Sequence, residues 1–153
     1  MNRYSGIFYL LHMNNKEGHL IGAVSLPEVW DLRHRVMYPN LPPEAVHLPD
    51  DASGQHLGLY INNQLVSVIS CFDRGNELQF RKFATENEQQ GKGYGSALLA
   101  HVMKLAVETH KQKIWCNARV SATGLYEKFG MQSVGDVWEQ YGLAFIKMEK
   151  ELN

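Results

Sequence analysis

The sequence predicts a mixed α/β (α+β) sheet in which an antiparallel meander is followed by one βαβ crossover and a C-terminal hairpin. Three observations carry this reading. Strand-like runs alternate with turn residues from His19 to Thr85, a glycine-rich stretch opens a helix-period run near Gly93, and two further strand-like runs finish the chain. At 153 residues the chain fits one domain, long enough to bury roughly two thirds of the surface its unfolded form exposes.

Residues 1–18 read as a peripheral extension and 19–153 as the domain proper, with Asn14, Asn15 and Gly18 as a loop before the strand His19 to Val24. Ser25 caps a helix with Pro27 in its first turn and Val29, Trp30, Leu32 and Val36 on one face; it stops before Pro39. The segment YPNLPPEAVHLPDDASG holds four of the five prolines, and a loop of that length in a compact domain is more often functional than idle. His56 to Ile61 and Leu65 to Phe72 form a hairpin about Asn62-Asn63-Gln64, and the turn Asp73-Arg74-Gly75-Asn76 leads into Glu77 to Thr85.

After the glycines, Leu98, Leu99, Val102, Leu105 and Ala106 recur at helical spacing as far as His110, and Lys113 to Ala118 is a short strand. Strand, loop, helix and strand make a right-handed crossover, so Glu77 to Thr85 and Lys113 to Ala118 should be parallel. Ser121 is expected to cap a short helix containing Leu125, Tyr126 and Phe129 and closed by Gly130. Strands near Ser133 to Glu139 and Leu143 to Lys150, turning at Gln140-Tyr141-Gly142, end the chain, with Val137, Trp138 and Phe145 either core or a pairing surface.

Apolar residues at 44%, charged residues at 20% and a net charge of -1 describe an ordinary globular protein and call for no nucleic acid partner. The run Ile7 to Leu11 is too short for a signal peptide or a membrane span, so the expected location is cytoplasmic. Cys71 and Cys116 stand apart, with no C-x-x-C, and read as buried reduced thiols; the seven scattered histidines form no H-x-x-x-H, and no metal is expected.

The stretch QQGKGYGSALL, Gln89 to Leu99, sets three glycines just before a helix. A helix start leaves backbone N–H groups unpaired and carries the positive end of the macrodipole, so phosphates can approach it closely. The spacing matches neither G-x-G-x-x-G nor a P-loop, which weakens dinucleotide and nucleoside-triphosphate readings.

These residues resemble the GNAT superfamily of acyl-CoA-dependent N-acyltransferases. Its motif [Q/R]-x-x-G-x-[G/A] is met by Gln90-Gly91-Lys92-Gly93-Tyr94-Gly95, and A-x-x-x-Y-x-x-x-G-[FM] by Ala122, Tyr126, Gly130 and Met131. The resemblance implies a GNAT-like fold and an N-acetyltransferase that uses acetyl-CoA as co-substrate without a metal. Backbone N–H groups from Gly91 to Ser96, with Gln90, Lys92 and Tyr94, would hold the CoA diphosphate, and the backbone of Phe83, Ala84 and Thr85 would pair with the pantetheine arm. Tyr126, protonated at neutral pH, would give the leaving thiolate its proton; spacing alone favours a tyrosine packing one helix face, and the paired motifs reverse that preference.

The sequence departs from the family at two places. A glutamate that several members carry eleven positions ahead of the first motif is Gln79 here, which cannot act as a base; Glu77, Glu139 or an ordered water is left for that task. The asparagine that many members carry three residues before the motif alanine is Arg119, and Asn117 on the same strand face is the substitute expected to touch the cofactor. Arg81, with Gln79 beside it, and Arg33 in the first helix are expected to bind the acceptor, the arginines by pairing with a substrate carboxylate; surface ion pairs are the alternative. The acceptor implied is the primary amine of a small molecule or peptide, with the protein a monomer or homodimer and no membrane partner. A non-catalytic acyl-CoA sensor is the competing reading.

Overall fold

The computed structural model describes residues 13–14 and 18–152. The expected peripheral extension therefore lies mostly outside the described residues. Of its loop residues, Asn14 forms with Met13 a two-residue strand β1 (Met13–Asn14), paired antiparallel with Leu20 and His19. The chain forms two compact units, Met1–Cys71 with Lys82–Leu99, and Phe72–Arg81 with Ala100–Asn153.

In the first unit, strand β2 (His19–Ala23) pairs antiparallel with β3 (Gln55–Ile61), which pairs with the first part of β4 (Gln64–Arg74). Asn62 and Asn63 make the two-residue turn at φ 48 and 70, the left-handed geometry that asparagine tolerates and that suits the twist of a hairpin. Helix α1 (Leu26–Met37) begins at Ser25, whose hydroxyl accepts from the Glu28 N–H and donates to the Glu28 carboxylate, a reciprocal cap. Its apolar face, Val29 and Leu32, packs with Val24, Val68 and Ala84. The proline-rich segment carries two single 3₁₀ turns, Pro43–Val46 and Asp51–Ser53.

In the second unit, strand β6 (Lys113–Arg119) has two different neighbours. The start of β5 (Glu77–Thr85) lies parallel to it, Glu77 to Gln79 against Lys113 to Trp115, as the crossover requires. On its other edge β8 (Leu143–Glu151) runs antiparallel along all seven residues, and β7 (Gln132–Gln140) pairs with β8. Every other pairing described is antiparallel, so the sheet is mixed, as predicted. Strand β7 is exposed throughout, and Val137 and Trp138, 54% and 36% exposed, are not core. Trp138 stacks instead on Phe145 of β8.

Helix α2 (Tyr94–Glu108) buries Leu98, Leu99, Val102 and Ala106 completely. It ends where His110 adopts φ 61 and Lys111 N–H reaches back to the Ala106 carbonyl, a left-handed stop made without glycine. Helix α3 (Thr123–Lys128) is preceded by the 3₁₀ turn Val120–Ala122, so the helix starts later than Ser121 and has no side-chain cap. The cap expected of Ser121 is thus absent, because that residue sits inside the preceding turn. At the other end Gly130, φ 86, closes the helix and Lys150 Nζ donates to the Phe129 carbonyl, placing a cation on the negative helix end.

Candidate active site

The end of β5 carries a local irregularity that the sequence did not announce. Lys82 lies within the strand at φ 54, a left-handed conformation costly for a residue with a side chain. Strand alternation is not carried through such a residue, so the faces of Gln79 and Arg81 before it do not set those of Phe83 and Thr85 after it. Past it, contacts set the faces. Ala84 packs with the α1 residues, whereas Phe83 and Thr85 lie against Gly95.

The backbone there is equally specific. Glu86 N–H donates to the Val66 carbonyl of β4, and Ser67 Oγ donates to the Ala84 carbonyl. By the pleat, Ala84 and Glu86 therefore turn their backbone groups to β4, while those of Phe83 and Thr85 face the opposite edge. Gln90 Nε2 donates to the Thr85 carbonyl and to Asn87 Oδ1, which folds the chain over the 3₁₀ turn Asn87–Gln89 into the glycines. On the outer side Arg35 holds Glu86 at 2.8 Å, tying α1 to the same segment.

Gly91 and Gly93 stand at φ 78 and 86, and a Cβ built on either meets nothing within 4 Å. They are glycines for conformation and for open approach, and Gly93 accepts the first helical bond, from Ala97 N–H. Gly95 is different: a Cβ there would stand 3.2 Å from Thr85 Oγ1 and 3.3 Å from Phe83 Cζ, so the helix lies close on the strand. The stretch from Gly91 to Ser96 combines a bare, exposed loop with the first-turn amides of α2, a fit for a compact dianion such as a diphosphate. Lys92 is exposed and donates to Gln89 Oε1, and the Tyr94 ring meets His19 edge-on at 5.3 Å.

In the second unit, Tyr126 is 8% exposed, with its ring 5.7 Å from that of Phe80. Burial and the neighbouring Cys116 push its phenol up from the ordinary value, and the Arg119 charge pulls it partly back. The group stays protonated at any physiological pH. Burial also raises the Cys71 and Cys116 thiols to about 12, which leaves both unreactive. Along β6, Ile114, Cys116 and Ala118 are buried while Trp115, Asn117 and Arg119 alternate with them, so Asn117 and Arg119 do share a face; Asn117 is exposed, in register with Lys147. Gln79 is buried, its carbonyl oxygen taken by Arg74 Nε at 2.9 Å.

Arg33 has a different place from the one expected. It is fully buried, both terminal nitrogens bond the Asp51 carboxylate, and further bonds go to the Val46 carbonyl and Ser70 Oγ. Asp51 also accepts from Trp30 Nε1 and Leu48 N–H. His56 completes the cluster: its Nε2 donates to the Asp51 carbonyl, so Nδ1 accepts from the Ser70 hydroxyl. Arg33 thus fastens the proline-rich segment to α1 and is withdrawn from substrate. Its position on the Val29 and Val36 stripe was the sequence signal for this. Among the described residues no cluster of three or more His, Cys, Asp or Glu side chains is arranged to hold a metal, and no helix is long and apolar enough to cross a membrane.

Comparison with known proteins agrees with this geometry. A family model described as an acetyltransferase (GNAT) domain matches residues 34–152. An uncharacterized N-acetyltransferase, YitI of Bacillus subtilis, is 28% identical over 142 residues, spanning 86% of this chain and 95% of its own. Among solved structures, a putative N-acetyltransferase from Lactobacillus plantarum superposes with a TM-score of 0.77 at 16% identity, over 88% of this chain and 97% of its own. A GNAT family acetyltransferase from Elizabethkingia anophelis, solved with acetyl-CoA bound, gives 0.70 at 20% identity, over 90% and 100%. With a family match over most of its length, the chain belongs to the GNAT acetyltransferases, enzymes that depend on acyl-CoA.

Proposed function

We propose that the protein transfers the acetyl group of acetyl-CoA to the primary amine of a small molecule or peptide. The observation that carries this is the glycine loop: Gly91 and Gly93 are left-handed and open to solvent immediately before α2, which suits a diphosphate and leaves room for it. Amides from Gly91 to Ser96 bind that group, with Lys92 adding charge. The free backbone edge at Phe83 and Thr85 receives the amide-containing arm as an added strand. Ala84 contributes its side chain to the core and has no part in that pairing.

Bound acetyl-CoA supplies a thioester, a carbonyl activated toward amines. Tyr126 holds a proton at its phenol oxygen and delivers it to the departing sulfur. Asn117 is assigned to the cofactor and Arg81 to a carboxylate on the acceptor. Gln79, held by Arg74, orients without accepting a proton. The amine arrives mostly as ammonium and must lose a proton before it attacks; Glu77, Glu139 or a water on main-chain carbonyls takes that proton.

Free-thiol release from acetyl-CoA over a panel of amines tests the reading. Amine-dependent release is expected, with acetyl-CoA, but neither ATP nor NAD, raising the melting temperature. Stabilisation by acetyl-CoA with no thiol release from any amine would instead make the protein an acyl-CoA sensor.

A further inference from the structure

Two contacts from the end of α1 bracket the strand end that would receive the pantetheine arm. On one side the Lys82 ammonium sits over the Tyr38 ring, 4.9 Å from its centroid. On the other, Arg35 Nη1 donates to both oxygens of the Glu86 carboxylate, at 2.8 and 2.9 Å. Phe83, Ala84 and Thr85 lie between these anchors. Both anchors are fixed on the helix side. Tyr38 is the last residue of the helix end, its N–H bonded to the His34 carbonyl and its own carbonyl taken by Leu41 N–H, and His34 Nε2 donates to the Leu41 carbonyl across the same turn. Arg35 is steadied by Asp31, one turn back, through Nε at 2.9 Å.

We propose that Tyr38 and Arg35 are positioning residues for the pantetheine arm, clamping Lys82 and Glu86 so that the backbone of Phe83 and Thr85 stays turned toward it. This rests on the reading of that edge as the arm's site. Lys82 stands at φ 54, where a side chain opposes the backbone, and it is there that the alternation of the strand breaks. A return of Lys82 to extended geometry would rotate the chain beyond it and carry the backbone groups of Phe83 and Thr85 away from the arm. At the far end the Glu86 N–H donates to the Val66 carbonyl, which fixes the backbone, and Arg35 fixes the side chain of the same residue.

The magnitudes let one contact matter. The penalty for a single left-handed residue and the attraction of an ammonium for a phenol ring are of the same order, so removing the ring raises the population of the extended form. An arm that binds only the left-handed form then loses affinity in proportion to the fraction lost. The Arg35–Glu86 pair, 47% and 20% exposed, adds little to overall stability, and its effect is on where the strand end lies. Charge is the rival explanation, because Lys82 and Arg35 are cations and the coenzyme is an anion.

The test is calorimetry on the full chain with two probes, CoA and the nucleotide half of CoA, which ends at the diphosphate and lacks the arm. Tyr38→Leu and Arg35→Met should each weaken CoA by about twofold to fivefold and leave the nucleotide half unchanged. Lys82→Val, whose branched side chain tolerates φ 54 worst, should weaken CoA by about tenfold or more. Lys82→Asn accepts a left-handed backbone, as Asn62 does at φ 48, so it should bind CoA like wild type, and adding Tyr38→Leu to it should cost nothing further. Should Lys82→Val fail to fold, the cost of Tyr38→Leu in the Lys82 and Lys82→Asn backgrounds decides alone. Unchanged CoA affinity in Tyr38→Leu, an equal loss in Lys82→Asn and Lys82→Val, or an equal loss for both probes would overturn the clamp and leave the acetyltransferase reading intact. Failure of wild type to bind CoA would overturn the functional reading itself.

Discussion

Replacing Asp51 by asparagine should unfold the protein at markedly lower denaturant, although the change is one of the smallest available. The carboxylate is 3% exposed and receives four hydrogen bonds, two from Arg33, one from Trp30 and one from the Leu48 N–H. An amide in its place turns one acceptor into a donor facing donors, and leaves the Arg33 charge at 0% exposure without a counter-charge. Breaking a buried pair from one side costs about 3–5 kcal/mol, a large part of the roughly 5–15 kcal/mol that holds a domain folded. Urea unfolding at pH 7 measures it. The partner experiment is the double variant Asp51→Leu with Arg33→Met, which removes both charges and should recover much of the loss. A cost below about 1 kcal/mol for Asp51→Asn, or a double variant as unstable as the sum of the singles, would refute the assignment of this pair as the clasp of the proline-rich segment.

The same residue sets a pH dependence with a definite sign. Burial alone would raise the Asp51 carboxyl, but hydrogen bonds from Arg33, Leu48 and Trp30 and the charge of Arg33 outweigh it and bring it from 3.8 down to about 2. A carboxyl lower in the folded state than in the unfolded state contributes fully above pH 4 or so, and that contribution is lost as pH falls toward 2. It amounts to about 2 kcal/mol. Wild type should lose this much stability across that window beyond what Asp51→Asn loses.

Three further outcomes follow from the glycine loop and the phenol. Gly93→Ala places a side chain at φ 86, a strain of about 1–3 kcal/mol, and fills the open approach; acetyl-CoA should no longer raise its melting temperature, and retained stabilisation would exclude this loop as the phosphate site. Gly95→Val drives methyl groups toward Thr85 Oγ1 and Phe83 Cζ, and should cost about 1–3 kcal/mol in urea unfolding. Tyr126→Phe should lower kcat by about 10²–10⁴ with acetyl-CoA affinity unchanged in calorimetry, and the wild-type profile should show no alkaline limb from this phenol below about pH 10, since burial raises it.

What could be read in the residues, and what could not, divides by the range of the interaction that decides it. Asn62-Asn63, Ser25 ahead of Pro27, and the spacing of Leu98, Leu99, Val102 and Ala106 each settle their own element through neighbours a few positions away, and the structure has the hairpin and both helices there. Lys82 carries no such mark: nothing in lysine favours φ 54, so its conformation is imposed by what packs around the strand, including Tyr38, whose ring lies 4.9 Å from its ammonium. Arg33 is the intermediate case. Four residues after Val29 and three before Val36, it falls on the buried stripe of α1, where a charge implies a buried partner rather than a substrate; only the identity of that partner, Asp51, eighteen positions on, was beyond local reading. The glycine loop was legible because its chemistry is local, amides and a helix start within a short run of chain, whereas the clasp at Asp51 joins α1, the proline-rich segment and Ser70 of β4. A buried ion pair is a relation among residues far apart in the chain, and it takes the folded protein to reveal it.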